Sequence, residues 1–447
     1  MYVDIEIISN NTYTNNLFTY KVPNNVTDKI NIGSIISVPF RNKDYKGIVL
    51  SVSDKTNILN IKEINKYLGI TLNKDHLDYL KQLAVSNKLN IGIILYNLFD
   101  ISNYKNQKVM TNKSIKNISF ANLKNIDTER NNVFFVPSLK IAKYLSDQLS
   151  KITNIDFYQK FGGKDEITNI LSKNFKNIIL LNTNFEKINL KQNTNYYFYD
   201  SNHPAWRLPK LNNLNITEAA HLKQNIFGGS FIFINEFPNL EFYNQPFDYK
   251  EEHNYELEYF IENSVENCIN LYSYKYPDKV LHVYSNSPLI QTDIFTYADK
   301  VTDTKIEAIL LINPTLVTNN IINSYKVIYL LSILNHAKTY NIKTIIFSTN
   351  EININKVLNS KNINKWIKKE QETRSKYGPS LLNKIFTFIS KNPLKNINKN
   401  LVKGPIEKDD GYLYEINIDL QKSYDYLEIM NMYKDLKNYD LNRARFI

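Results

Sequence analysis

The first seventy residues alternate apolar and polar positions at the two-residue period of strands. In "GSIISVPFRNKDYKGIVLSVSD", Gly33 to Asp54, one such run through Ile35 and Val38 breaks at Pro39 and "RNKDYKG" and resumes at Ile48, Val49, Leu50 and Val52. This predicts a hairpin with a polar, basic turn, which is either a solvated loop or a holder of something. The period then changes. Leu77, Leu80, Leu83 and Ala84 share one face at helical spacing, so residues 1–103 read as a small β-rich domain closed by helices. Residues 104–126, with "NQKVMTNKSIKN", read as a linker. From Asn131 onward, short continuous apolar runs alternate with helical segments, the pattern of buried parallel strands joined by crossovers. The runs "VFFVP", "NIILLN", "NYYFYD" and "SFIFIN" separate from "KVLHVYSN", "AILLINP" and "IKTIIFSTN" near Tyr243 to Glu252, giving two parallel α/β lobes, 127–248 and 249–370. An α+β segment, 371–447, closes the chain with the strand-like "GYLYEINIDL" and the helical "SYDYLEIMNMYKDL". The expected fold class is therefore multidomain α/β.

Composition narrows this picture. The 447 residues are too many for one core, and 43% hydrophobic with 13% aromatic content excludes extended disorder. One cysteine, Cys268, rules out an internal disulfide or a cysteine-based zinc cluster. No apolar run is long enough to span a bilayer and no leader is visible, so a cytoplasmic setting is expected. The net charge of +11 is concentrated: between residues 352 and 403, twelve Lys and Arg stand against Glu370 and Glu372, with Trp366, Tyr377, Phe386 and Phe388 interleaved. Such a stretch is either a solvated face or a surface for a polyanion. Only six residues of the whole chain are Arg, so base reading should be sparse and Lys should supply charge toward a backbone.

Two α/β lobes in a basic protein raise the question of an NTP-driven motor, and its phosphate loop is missing. None of the eleven glycines lies between Gly92 and Gly162, and the one Gly-Lys pair, Gly163-Lys164, is followed by Asp165 rather than Ser or Thr. Asp200 and His203 in "YYFYDSNHP" stand at the carboxyl end of a strand, where open α/β sheets keep their sites. A metal-holding Asp there needs a neighbouring Glu to orient water; Ser201 and Asn202 stand instead, and Asp200 reads as an end-of-strand cap. No paired His or Cys spacing marks a metal site, and no cofactor is expected.

"LFTYKVP", the hairpin above, "IKEINKYLG" and "HLDYLKQLAVSNKLNIGIILYNLF" together resemble the 3′-DNA-end-binding domain of the PriA family, replication-restart helicases also called primosomal protein N′. The likeness continues more weakly. "FKNIILLNTNFEKINLKQNTNYYFYDSNHP" resembles the family's "GTRSA" segment and DEEH box, which here reads Asp200, Ser201, Asn202, His203. Phe237 to Glu241, "FPNLE", stands for "TPSLE", and "YLLSILNHAKTY" stands for the arginine-bearing "QLLTQVAGRAGR", with Ala337 and Tyr340 at its two arginine positions. "ETRSKYGPSLLNKI", "VKGPIEKDDGYLYEINI" and "LNRARFI" resemble the family's C-terminal domain. The phosphate loop, catalytic Glu, arginine fingers and zinc cysteines are absent, and the segment at 104–126 is too short for the family's winged helix.

The resemblance implies a DNA-binding protein of replication restart that recognises forked or 3′-ended DNA, its two helicase-like lobes degenerate and its ATPase lost. The family's pocket residues fall on Phe18, Thr19, Arg41 and Lys62, with Lys43 beside them in the basic turn. Phe18 would stack on a terminal base and Lys62 would meet a phosphate. Thr19, where the family has Asp, should weaken discrimination for a free 3′-hydroxyl; Arg41, where it has Gly, should grip the last phosphate. Lys365, Lys368, Lys369 and Lys376 would add backbone contacts. Implied protein partners are of the replisome kind, such as a single-stranded-DNA-binding protein or a helicase loader. The alternatives are a weakly active ATP-dependent helicase and a replisome- or RNA-associated adaptor.

Overall fold

The computed structural model describes residues 1–10, 17–101, 112–120, 126–153, 158–159 and 177–237, apart from a few single positions. Further on it describes 257–261, 281–285, 308–312, 343–348, 360–377, 383–390, 402–408, 411–419 and 425–437, with scattered residues between. The N-terminal sheet is antiparallel, built from β1 (Tyr2–Ile7), β2 (Phe18–Lys21), β3 (Ser34–Phe40), β4 (Lys43–Ser53) and β5 (Lys66–Thr71) in the order β2-β1-β4-β3-β5. Strand alternation divides its side chains between two cores. Val3, Ile5, Ile7, Ile36, Val38 and Val49 fill one. Ile35, Ile48, Leu50 and Ile70 fill the other, beneath helices α1 (Lys74–Asn87) and α2 (Ile91–Leu98). The predicted helical face is buried at all four positions, Leu77, Leu80, Leu83 and Ala84. Asn73 starts α1 by accepting the His76 N–H at 2.9 Å.

The hairpin has a tighter turn than its polar sequence predicts. Phe40 pairs directly with Lys43, so only Arg41 and Asn42 turn the chain, at φ 47° and 60°. Two consecutive positive φ values are the signature of a type I′ turn, whose twist matches that of the flanking strands. Pro39 and the residues from Lys43 to Lys46 therefore belong to strands, and their side chains alternate between the faces.

The first lobe is a six-stranded parallel sheet, order β6-β13-β10-β7-β9-β8. Its strands are β6 (Asn112–Phe120), β7 (Asn131–Val136), β8 (Tyr158–Gln159), β9 (Asn177–Leu181), β10 (Thr194–Tyr199) and β13 (Gly228–Ile234). A ribbon of β11 (Arg207–Leu208) and β12 (Leu214–Asn215) interrupts the series. Both faces are covered, as continuous apolar runs require. Phe134, Val136, Ile179 and Tyr197 meet helix α3 (Leu139–Thr153) on one side. Phe135, Leu180, Phe198 and Phe231 join a core with α4 (Ile216–Phe227) on the other. One expectation moves: β6 lies within the segment read as a linker, at residues 104–126, and pairs parallel to β13. Its sequence "NKSIKNISF" has no continuous apolar run, because an edge strand is held by backbone hydrogen bonds that need no particular side chains.

The second lobe contributes β14 (Leu257–Ile261), β15 (Leu281–Ser285), β16 (Ala308–Ile312) and β17 (Lys343–Ser348), parallel in the order β14-β17-β16-β15. Helix α5 (Ser360–Tyr377) follows and runs across the boundary expected at 370. An antiparallel sheet of β18 (Asn383–Ser390), β20 (Gly411–Asp419) and β19 (Val402–Lys408) and helix α6 (Tyr426–Lys437) are the last elements among the described residues.

The N-terminal domain is built into the rest. One apolar core runs from Leu80 and Leu95 through Phe185 and Phe231 to Tyr414, Tyr426 and Ile429. Within it the Tyr79 hydroxyl of α1 donates to Glu186, whose other oxygen pairs with Lys223 of α4 at 3.1 Å. Lys223 also lies 4.5 Å from the centre of the Phe185 ring. Glu6 of β1 forms a second tie. It accepts the Tyr426 hydroxyl at 2.5 Å and the Gly92 N–H at 3.0 Å. A side chain at Gly92 would meet the Ile7 carbonyl at 2.2 Å, so only glycine lets α2 approach β1 this closely. Burial raises the Glu6 pKa above its ordinary value, and the hydrogen bonds from Tyr426 and α2 only partly oppose that.

Candidate nucleic-acid interface

Strand β2 is the outer edge of the N-terminal sheet and carries both Phe18 and Thr19. Adjacent residues on a strand point to opposite faces, so the two expected pocket residues lie on opposite sides of one edge. Phe18 shares a face with Ile5 and packs edge-on to Phe40, ring centres 4.8 Å apart; Phe40 meets Tyr45 in the same way at 5.7 Å. The Arg41 guanidinium lies 5.5 Å from the centre of the Phe40 ring. Lys43 pairs with Phe40 across the hairpin and so stands on this face as well, exposed like Arg41. The result is a ladder of half-buried aromatic rings topped by two cations, the combination that binds single-stranded nucleic acid by stacking and charge.

Thr19 lies on the opposite face with Asp4 and Ser51, its partners in register on β1 and β4. Both hydroxyls donate to Asp4, Thr19 to one carboxylate oxygen and Ser51 to the other, each at 2.6 Å. Lys21 is on this face too and is paired with Glu63 at 3.0 Å. The edge itself is polar. The Lys21 N–H donates to the Lys62 carbonyl at 3.0 Å and the Ile64 N–H to the Lys21 carbonyl at 3.1 Å, while the Val22 N–H turns inward to Met1. By alternation, the N–H and C=O of Thr19 point outward along the same edge as those of Lys21. Lys62 is thus tied beside β2 through its backbone, with its side chain in solvent. The fold brings Phe18, Arg41 and Lys43 together on one face and leaves Thr19 with Asp4 on the other. Sequence alone carries no sign of Asp4 or Ser51, since a polar residue within an alternating strand reads as ordinary, whereas Phe40 and Tyr45 lie in the hairpin that carries the resemblance.

Helix α5 gathers four of the basic candidates. Lys365, Lys368, Lys369 and Lys376 are exposed and recur at three- and four-residue spacing, so they form one stripe opposite the buried Ile363 and Ile367.

The Asp200 turn is closed on itself. Asp200 adopts φ 51°; its N–H donates to the Ile234 carbonyl at 2.8 Å, and its own carbonyl accepts the His203 N–H at 2.9 Å and the Trp206 indole N–H at 2.7 Å. Ser201 bonds Asn235, Asn202 donates to the Phe237 carbonyl at 2.9 Å, and His203 Nδ1 accepts the Ala205 N–H at 3.0 Å. Trp206 and Phe237 are buried on either side. The geometry is that of a structural cap. Lys164, Ala337 and Tyr340, which bear on the phosphate loop and the arginine positions, lie outside the described residues. Among the described residues there is no group of three or more His, Cys, Asp or Glu arranged to hold a metal, and no helix is long and apolar enough to cross a membrane.

Residues 6–98 match the family model of the PriA 3′DNA-binding domain (3′BD). That span covers β2, the β3–β4 hairpin and Lys62, while Asp4 and Ile5 of β1 precede it. No curated protein matches the chain. Among solved structures, an NS3-like helicase from Alongshan virus aligns at 9% identity over 52% of this chain and 57% of its own, with a TM-score of 0.24. The chain thus spans little more than half of that helicase, at a similarity too slight to superpose the two architectures.

Proposed function

We propose that this protein binds forked or 3′-ended DNA in replication restart, using the β2 edge for the strand terminus and α5 for the backbone, without hydrolysing ATP. The observation that carries this reading is the 3′BD match at residues 6–98 over a surface on which half-buried Phe18 stands with exposed Arg41, Lys43 and Lys62. The parallel lobes serve as scaffold. Transition-state charge on a γ-phosphate needs Lys, Mg²⁺ and Arg donors that the sequence does not offer at the family's positions, and a missing arginine finger alone removes about 10³-fold or more. Its partners would be DNA together with replisome proteins. Two measurements test the reading. Anisotropy titrations should show tighter binding to forks than to blunt duplex or to RNA of matched length, and phosphate release should stay at background with or without forks. Equal affinity for all three nucleic acids would favour an adaptor, and fork-stimulated hydrolysis abolished by a substitution in either lobe would restore an active helicase.

A further inference from the structure

Helix α5 carries its charges unevenly around its axis. At about 100° per residue, Lys365, Lys368, Lys369 and Lys376 fall within an arc of about 100°, and Glu372 lies near the middle of that arc. All five are exposed. The other acid of the helix, Glu370, is half-buried on the side of Ile363 and Ile367. Glu372 comes four residues before Lys376 and follows Lys369 by three and Lys368 by four, the spacings at which helical side chains meet. A carboxylate therefore interrupts the stripe between Lys369 and Lys376.

We infer that Glu372 limits the affinity of α5 for a nucleic-acid backbone: it opposes phosphates laid along the Lys365-to-Lys376 stripe and keeps the grip weak enough to be released. The inference rests on the proposed DNA binding. A phosphate that approaches Lys369 or Lys376 also approaches a like charge, and a lysine attracted to the neighbouring carboxylate gives up that attraction before it can neutralise the phosphate. This contribution carries no sequence information and is shared by duplex and fork. Without the carboxylate, the stripe would hold plain duplex more tightly and leave it more slowly. Glu372 thus sets how much of the binding comes from backbone contacts at α5.

The test is a charge series at one position, measured on the full chain with blunt duplex and with forks. Glu372→Gln removes the charge at similar helix propensity, and Glu372→Lys reverses it. At about 0.1 M salt the glutamine variant should bind both DNAs about two- to fivefold tighter, the range for one exposed charge interaction, and the lysine variant tighter again. With lysine the log–log salt slope should also steepen by up to about 0.9, as one further phosphate is neutralised. Glu129→Gln, the same change of net charge at an exposed position of the first lobe, should give a much smaller gain. A merely structural role for Glu372 would leave affinity unchanged or lower it in both variants. Either of those results, or an equal gain from Glu129→Gln, would overturn the inference. Failure of the native chain to bind any fork would instead overturn the proposed function.

Discussion

At the β2 edge the polar groups point outward; at the carboxyl end of β10 they are folded inward. The backbone N–H and C=O of Thr19 point outward along the β2 edge, while the Asp200 turn spends its backbone groups on Ile234, His203 and Trp206. Both places are where the resemblance locates function. The difference is that a site needs hydrogen-bonding groups left for a ligand, and a scaffold uses its own to hold its loops. The proposed function assigns the first property to the β2 edge and the second to the Asp200 turn.

If the open surfaces bind DNA, the largest response should come from α5. Replacing Lys365, Lys368, Lys369 and Lys376 with Gln should lower the salt dependence of fork binding by up to about 0.9 in log–log slope for each duplex phosphate that is no longer neutralised. An unchanged slope would make the stripe a solvated face. Next in size, Phe18→Ala should weaken binding by about tenfold or more, as loss of one stacked base does, whereas Asp200→Ala should leave it within about twofold. Comparable losses from both would erase the contrast between the open edge and the closed turn.

A third measure concerns the tie between the N-terminal domain and α6. Tyr426→Phe leaves the buried Glu6 carboxylate and the Ile91 N–H each short of a partner and should cost about 1–3 kcal/mol in unfolding experiments. Glu6 titrates above its ordinary 4.5 in the folded protein because burial disfavours its charge. The folded state therefore holds this proton more tightly than the unfolded chain does. Its contribution is full below about pH 4.5 and falls as pH rises through the raised folded value. Glu6→Gln should flatten that decline in melting temperature; a slope as steep as the native one would remove Glu6 as its source.

The smallest effect separates conformation from binding at one residue. Arg41 holds φ 47°, which glycine adopts without penalty, so Arg41→Gly should stabilise the fold by up to about 1 kcal/mol while weakening fork binding. Tighter binding by the glycine variant would mean that Arg41 obstructs the edge rather than grips a phosphate.

Much of this architecture was legible along the chain. Period-two alternation through Ile35 and Ile48, the helical face of Leu77 to Ala84 and runs such as "VFFVP" and "NYYFYD" each reflect a local rule, that apolar side chains must leave water on the face their backbone presents. The motif around Phe18 and "VPF" was legible for the same reason, being contiguous in sequence. Strand β6 was not, since a polar edge strand is defined by the partner it pairs with rather than by its own pattern. Nor was Asp4. A sheet register sets it against Thr19, fifteen residues away, and Ser51, forty-seven away. Glu6, meeting Tyr426 across 420 residues, shows the same division. Sequence by itself determined which segments become strands and helices and which of them carry the motif around Phe18, because those features follow from short-range periodicity and contiguous residues. Only the tertiary structure decided which face each edge residue occupies and which acid stands behind the Thr19 hydroxyl, because register and burial arise when distant strands pair.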